Sequence, residues 1–221
     1  MPRRLRLSPG GLMYHVLNRS NDGSTLFHQP GDYRAFISIM AQCSQRLPMR
    51  VLAYCLMPNH YHLVLWPHGD GELSDWMQHL GQRHAQRYHR AHGTYGHLWQ
   101  GRFKSFPIQD DGHLLTVLRY VERNPVRAGL VPCAANWPWS SCGQSRSGVG
   151  LALTLPPVEL PEDWRQHVDR PVTASELQAI RTAAERGLPY GSRSWMATTA
   201  PRLGLDGAMR GRGRPAKRES G

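Results

Sequence analysis

The sequence lacks the features that would assign it to several common classes of protein. No apolar stretch approaches the roughly 20 residues that a membrane-spanning helix needs, and the N-terminal stretch MPRRLRLSPGG does not run into a signal-like apolar segment. We therefore expect no membrane attachment and a cytoplasmic location. No G-x-x-x-x-G-K-[ST] loop occurs, which argues against the phosphate-binding loop of nucleotide hydrolases.

Cysteine is also scarce. The four cysteines are Cys43, Cys55, Cys133 and Cys142, and no two of them form a C-x-x-C pair. This spacing gives no support to a zinc knuckle. We interpret the four thiols as small buried hydrophobic side chains in a reducing compartment.

Acidic residues are few relative to basic ones, and this imbalance indicates a negatively charged partner. The 221 residues include 27 Lys and Arg against 16 Asp and Glu, which gives a formal net charge of +11 and a pI of about 10.2. A positive field of this size suits a polyanion and favours nucleic acid. At 40% hydrophobic residues the chain can form one good core plus a smaller appendage.

Hydrophobic periodicity predicts four strands and three helices in the first part of the chain. The predicted strands cover 11–20, 49–57, 60–66 and 101–108, and the predicted helices cover 31–47, 72–91 and 110–124. The pair Pro58-Asn59 indicates a hairpin between the second and third strands. The order β-α-β-β-α-β-α predicts an α+β fold, with an antiparallel sheet and helices on one face, as in ferredoxin or an RNA-recognition motif.

The composition changes after about residue 150, which predicts two domains, 1–150 and 151–221. The second begins with a Pro-rich connector, continues as two short helices over 173–187 and 192–204, and ends in a basic tail. In that tail RGRGRP, with Arg212 and Arg214, resembles the core of an AT-hook. The alternatives for the tail are accessory DNA binding and a solvated, charge-rich terminus.

Two histidines stand at the head of the third strand, in MPNHYHLVLW. His60 and His62 are two positions apart, so on a strand they point to the same side at roughly 6.6 Å spacing. Two imidazoles so placed can converge on one metal ion, whereas Tyr61 faces the packed side of the sheet. The alternative is that the histidines only cap a hairpin on an open, solvated face.

A second group of polar residues lies in RYVERNPVRAG. Tyr120 and Asn124 are four positions apart on one predicted helix, so their side chains share a face. The alternative is a surface tyrosine and a helix-ending asparagine before Pro125. Taken together with the histidines, the set suits phosphoryl transfer: imidazole and amide ligands leave positions open on Mg²⁺ or Mn²⁺, and a tyrosine can attack phosphorus.

These motifs resemble a known family. His60-Tyr61-His62 is similar to the His-hydrophobic-His motif of HUH endonucleases. The stretch YVERNPVRAGLV (120–131) is similar to the tyrosine helix of REP-associated tyrosine transposases, relatives of single-tyrosine insertion-sequence transposases. The resemblance covers roughly residues 8 to 145, with both motifs in the family's order.

The resemblance implies a function and a role for each motif residue. Tyr120 would be the nucleophile, His60 and His62 the metal ligands, and Asn124 the third ligand, where many insertion-sequence relatives carry Gln. The implied activity is metal-dependent cleavage and transfer of single-stranded DNA beside a hairpin of the repetitive extragenic palindromes. Cleavage would leave a 5′-phosphotyrosine and a free 3′-OH. The sequence leaves monomer and homodimer open.

Further basic and aromatic residues are candidates for DNA contact. They are Arg19, Trp99, Arg102, Lys104, Arg127, Arg212 and Arg214. In GHLWQGRFKSF the aromatic rings alternate with cations, which suits single-stranded DNA but also an ordinary amphipathic edge strand. His15 fits a core or hydrogen-bonding role better than a metal ligand.

Two other functions are compatible with parts of the sequence. A two-metal nuclease would use the carboxylates Asp110, Asp111 and Glu122, but two of these fit the start of a helix. A non-cleaving protein resembling an RNA-recognition motif could bind DNA or RNA through the same basic surface. Such a binder would need none of the four motif residues, which favours the enzyme.

Overall fold

The computed structural model describes residues 7–143 and 151–205, and its element order confirms the predicted β-α-β-β-α-β-α arrangement. Each element matches the predicted range to within a few residues. The strands are β1 (Met13–Arg19), β2 (Arg50–Met57), β3 (His60–Trp66) and β4 (Lys104–Ile108). The first helices are α1 (Pro30–Arg46), α2 (Glu72–His92), α3 (Gly112–Glu122) and α4 (Asn124–Arg127).

The four strands form one antiparallel sheet in the order β2-β3-β1-β4. Strands β2 and β3 are joined by the hairpin predicted at Pro58-Asn59. Strands β1 and β3 occupy the centre, where Leu17 pairs with His62 and Arg19 pairs with His60. The histidine pair therefore lies at one end of a central strand, with a second strand directly alongside it.

Both faces of the sheet are covered by helices. On one face Tyr61, Leu63 and Leu65 share a core with Phe36 of α1 and Trp76 of α2. On the other face the strands pack against α3 in a second core. This core includes Val64 of β3, Phe106 and Ile108 of β4, and Leu114 and Val117 of α3. The prediction of helices on one face only was therefore wrong for the third helix. Because apolar side chains alternate onto both faces, each face needs a cover.

The predicted third helix is interrupted. Helix α3 ends at Glu122, and the short helix α4 begins at Asn124 after Arg123. Pro125 has no N–H to donate to the preceding turn, so the regular ladder of hydrogen bonds stops there. Tyr120 and Asn124 consequently belong to successive helices, although the Asn124 side-chain N–H₂ still donates to the Tyr120 carbonyl oxygen at 3.2 Å.

The C-terminal segment packs onto the same core. Helix α5 (Trp164–Asp169) lies within the connector predicted over about 151–170, where no helix was expected. Helices α6 (Ala174–Arg186) and α7 (Arg193–Arg202) confirm the two predicted helices. Ile180 of α6 is buried against the face that α3 covers. Tyr190 donates its N–H to Pro107 O and accepts from Gln109 N–H, which protects the β4 edge. Among residues 7–143 and 151–205, no helix combines the length and the apolar character that spanning a membrane requires.

Candidate active site

The two motif histidines point to the same side of β3, as their spacing predicts. The centroids of the His60 and His62 rings are 5.1 Å apart and the ring planes are nearly perpendicular. Tyr61 faces the opposite core, where its ring lies 5.2 Å from that of Phe36. The alternation of the strand alone produces this separation.

His62 is held by a third histidine. The Nε2 atom of His15, on β1, lies 2.9 Å from Nδ1 of His62, and the hydrogen bond is buried. The His15 ring also packs against Phe106, and its own Nδ1 is buried with no hydrogen-bond partner among the described residues. When His62 donates from Nδ1, its Nε2 presents a lone pair, as a metal ligand must. The expected hydrogen-bonding role of His15 is thus confirmed.

His60 is oriented by its neighbour in the hairpin. The Nδ1 atom of His60 lies 2.7 Å from Oδ1 of Asn59, whose own amide nitrogen donates to the Gly23 carbonyl oxygen at 3.0 Å. That second bond fixes the amide with its oxygen toward the imidazole, so the His60 Nδ1–H is the donor. Its Nε2 consequently keeps a lone pair. The sequence indicates Asn59 only as a turn residue, because its effect on His60 depends on Gly23.

Burial keeps all three imidazoles neutral at ordinary pH. It lowers the pKa of His15 to about 3 and that of His60 to about 4, with Arg19 and Arg127 adding to the shift at His60. Burial also lowers the pKa of His62 well below its usual value, with contributions from His15, His60 and Arg127. Neutral imidazole is the form that can donate a lone pair to a metal ion.

Helix α3 places Tyr120 over the histidines. The centroid of its ring lies 5.7 Å from that of His62 and 6.0 Å from that of His15, edge-on in both cases. Tyr120 and His62 are only 9% and 5% exposed. Helix α3 covers this side of the sheet. Two alternative interpretations are therefore wrong: that the histidines lie on an open, solvated face, and that Tyr120 is a surface residue.

Asn124 and Arg127 form a pair beside the tyrosine. Asn124 is fully buried, and its Oδ1 accepts from the Arg127 guanidinium at 2.5 Å. The Arg127 guanidinium carbon lies 5.4 Å from the centroid of the Tyr120 ring. A carbonyl oxygen has two lone pairs, so a metal ion at Asn124 would share this oxygen with a cation. The sequence left Arg127 open between contacting a phosphate and bracing the loop after the tyrosine helix. The structure places it in the site, where its guanidinium holds the Asn124 side chain.

The donor set fits a divalent cation in part. Among the described residues no group of three His, Cys, Asp or Glu side chains could hold a metal ion. The pair His60 and His62 nevertheless offers two neutral imidazoles whose Nε2 atoms have no hydrogen-bond partner in the described part of the chain. Two nitrogen donors suit a borderline ion such as Mn²⁺ better than Mg²⁺, which prefers oxygen. The amide oxygen of Asn124 would be the third donor.

The DNA-contact candidates divide into two groups. Arg19, Arg102 and Lys104 are exposed and line one groove of about 660 Å³ at the end of β1 near His60. Trp99 instead packs its ring at 5.3 Å from the rings of Tyr61 and His84, which argues against a stacking role because the ring braces the core. Arg212 and Arg214 lie outside the described residues.

The carboxylates of the rival nuclease do not converge. Asp111 caps α3 by accepting from the His113 N–H, the helix-start role expected of it. Glu122 is buried away from the histidines and accepts from Trp164 Nε1 and the Ser141 hydroxyl. A two-metal site built on these residues is therefore not formed in the structure.

Fold and site together define a class: a ferredoxin-like sheet with a histidine pair on a central strand and a tyrosine on the helix that covers it. Such a site has the groups needed for covalent chemistry on a phosphodiester. The chain belongs to the family of IS200-like transposases, which its residues 10–124 match.

Individual relatives agree with this family. A putative REP-associated tyrosine transposase of Haemophilus influenzae is 28% identical over 116 residues, which cover 48% of this chain and 66% of the relative. The REP-associated tyrosine transposase of Escherichia coli K12 is 25% identical over 134 residues, covering 60% and 76%.

A solved structure has the same fold. A REP-associated tyrosine transposase bound to a REP hairpin superposes with a TM-score of 0.52 at 24% identity. The match covers 64% of this chain and 81% of that structure. The shared α+β architecture confirms the predicted fold class.

Proposed function

We propose that the protein is a metal-dependent single-strand DNA endonuclease and strand transferase of the HUH type, which cuts beside palindromic hairpins. The observation that carries this proposal is the position of the Tyr120 ring against His62, which itself lies beside His60 on the same side of β3. A non-cleaving DNA binder has no need of this constellation. The family of transposases supports an activity on DNA strands.

Tyr120 is the proposed nucleophile. Its phenolic oxygen attacks the scissile phosphorus and loses its proton to solvent. The P–O3′ bond breaks, and the leaving 3′ oxygen takes up a proton from solvent to become the free 3′-OH. The product is a 5′-phosphotyrosine that conserves the energy of the phosphodiester. A bound Mn²⁺ or Mg²⁺ would supply Lewis-acid polarisation of the phosphate oxygens.

The surrounding residues have supporting roles in this proposal. His60 and His62 would hold the cation, while Asn59 and His15 keep the two rings in the ligating tautomer. Asn124 would be the third ligand. Arg127, whose guanidinium now rests on the Asn124 amide oxygen, would contact the scissile phosphate.

The proposed substrate is hairpin DNA of the REP type, since the transposase of similar fold is bound to a REP hairpin. The groove bordered by Arg19, Arg102 and Lys104 opens near His60 and has the charge to guide a single strand toward the site. The tail beyond residue 205, with Arg212 and Arg214, would add phosphate contacts as the accessory part of the 151–221 extension. Chromosomal DNA as the substrate agrees with action in the bacterial cytoplasm.

The experiment is a search for a covalent adduct. The protein is incubated with Mn²⁺ and labelled single-stranded palindromes from its own genome, and the products are separated on a denaturing gel. The proposal requires protein attached to the 5′ side of the break and a 3′-OH that a polymerase extends. Binding without any adduct would instead favour the non-cleaving regulator, and an adduct on a 3′ end would indicate another class of enzyme.

A further inference from the structure

A basic surface lies far from the site described above. Between Asp75 and Asp110 the chain contains no Asp or Glu, and most of α2 falls within this stretch. Arg83, Arg87 and Arg90 follow one another at spacings of four and three residues, so they lie on one face of α2 and span about 10 Å. All three side chains are exposed.

The three arginines border a groove of about 450 Å³ between α1 and α2. Helix α1 contributes the polar side chains of Ser38 and Gln42, and Gln42 Oε1 accepts from the Arg83 guanidinium at 2.9 Å. None of the three arginines forms an ion pair with a carboxylate in the described part of the chain. The one carboxylate of α1, Asp32, is buried and accepts from backbone N–H groups at the start of that helix.

The groove and the catalytic tyrosine lie on opposite sides of the molecule. Helices α1 and α2 cover the Tyr61 face of the sheet, whereas α3 carries Tyr120 on the His62 face. The sheet and one helix layer separate them. A DNA segment held at Tyr120 would therefore face away from the groove.

We propose that the α1–α2 groove binds the phosphate backbone of a second, double-stranded DNA segment while the catalytic face holds the hairpin. The proposal rests on the proposed function in taking DNA as the partner. The groove offers three guanidinium groups that have no carboxylate partner in the described part of the chain, with neutral hydrogen-bonding side chains beside them. Such a row of cations suits consecutive phosphates rather than base edges. A second copy of this chain, at net charge +11, would be repelled from the same surface.

The test replaces Arg83, Arg87 and Arg90 together by glutamine, which keeps helix propensity and removes three charges. Binding to a duplex without palindromes should weaken by about tenfold. The plot of log K against log salt should become less steep, its negative slope shrinking in magnitude by about 3. A control with Arg165→Gln, Arg181→Gln and Arg193→Gln removes the same charge from exposed positions on α5, α6 and α7. That control should keep the wild-type slope to within about 1.

Bridging distinguishes two-segment binding from a general loss of affinity. Hairpin DNA on beads should capture the wild-type protein and, through it, a labelled duplex; the groove variant should retain hairpin capture and lose the duplex. An unchanged salt slope in the groove variant, an equal drop in the control, or failure of the wild type to bridge overturns the proposal. The duplex titration does not depend on cleavage, so an inactive Tyr120 would not be mistaken for an inactive groove.

Discussion

The imidazole of His15 lies 2.9 Å from that of His62, Nε2 to Nδ1, although the two residues are 47 positions apart. The bond connects the two central strands directly beneath Tyr120. Because ligand histidines depend on the partner of their second nitrogen, this bond is expected to govern how well His62 binds a metal ion.

His15→Phe should therefore weaken Mn²⁺ binding without unfolding the protein. Phenylalanine keeps a ring against Phe106 but forms no hydrogen bond with His62, so the affinity should fall by about 10- to 100-fold. Calorimetry or electron paramagnetic resonance of Mn²⁺ measures it directly. His97→Phe, on an exposed residue outside the site, is the control. Equal affinity in both variants would show that the His15 bond has no influence on the metal.

The two ligand candidates should differ in their effect on stability. His60→Ala and His62→Ala should both abolish cleavage, but only His62 is buried under α3. Its removal leaves a cavity and should cost about 2 kcal/mol or more, whereas His60→Ala should cost below about 1 kcal/mol. Urea denaturation measures the loss of stability, and adduct formation measures cleavage. Wild-type cleavage by either variant with Mn²⁺ or Mg²⁺ would contradict the assignment of these ligands.

Tyr120→Phe tests the proposed nucleophile. The Tyr120 hydroxyl has no hydrogen-bond partner among the described residues, so its removal should change the free energy of unfolding by less than about 1 kcal/mol. Hairpin binding should remain near the wild-type level while strand cleavage and the covalent adduct disappear together. Tyr61→Phe, on the opposite face of the sheet, should still form the adduct. Adduct in Tyr120→Phe would mean that another side chain attacks.

Removal of residues 206–221 should affect affinity more than catalysis. The segment is rich in arginine, including Arg212 and Arg214, and its contacts should be mostly to phosphates. Truncation should lower both the affinity for DNA and its salt dependence, yet leave cleavage at saturating substrate. The full-length double variant Arg212→Gln/Arg214→Gln tests whether the RGRGRP segment is responsible. A salt slope unchanged by truncation would show that the tail does not touch DNA.

His84 should make the protein sensitive to acid. Burial among aromatic rings lowers the pKa of His84 to about 3, so the unfolded chain takes up a proton near the ordinary pKa of about 6.5 while the folded chain does not. The stability contributed by the neutral ring is complete above that pH and is lost as pH falls, by about 1.4 kcal/mol per unit. His84→Leu should flatten the curve of unfolding free energy against pH below about 6.5. Parallel curves for the two proteins would contradict this.

The element order and the shared side of His60 and His62 could be predicted because both follow from local periodicity. The period of two along β3 places the two imidazoles together whatever lies above them. Pro125 predicts the end of the tyrosine helix, and the structure ends α3 at Glu122, just before it. The sequence did not predict that α4 begins at Asn124, because a proline in the first turn is compatible with a new helix as well as with a loop.

The cover over the site could not be predicted in this way. An apolar stripe on α3 shows that the helix is buried, but it does not say which face of the sheet buries it. Only the tertiary structure decided that α3 lies on the histidine face, and with it the burial of Tyr120 and His62. The same holds for Trp99, whose place in the core depends on Tyr61 and His84 rather than on neighbours in the sequence.

The sequence by itself thus determined the order of the elements, the positive charge and the shared side of His60 and His62, because these depend on composition and on short-range periodicity. The tertiary structure decided which partners hold them: His15 on His62, Asn59 and Gly23 on His60, and Arg127 on Asn124. The His15–His62 bond joins two strands that are distant in sequence. The Asn59–His60 bond joins neighbours, but its geometry depends on the bond from Asn59 to Gly23 in another part of the chain. Hydrogen bonds act over about 3 Å, so such partners are settled only when the elements pack.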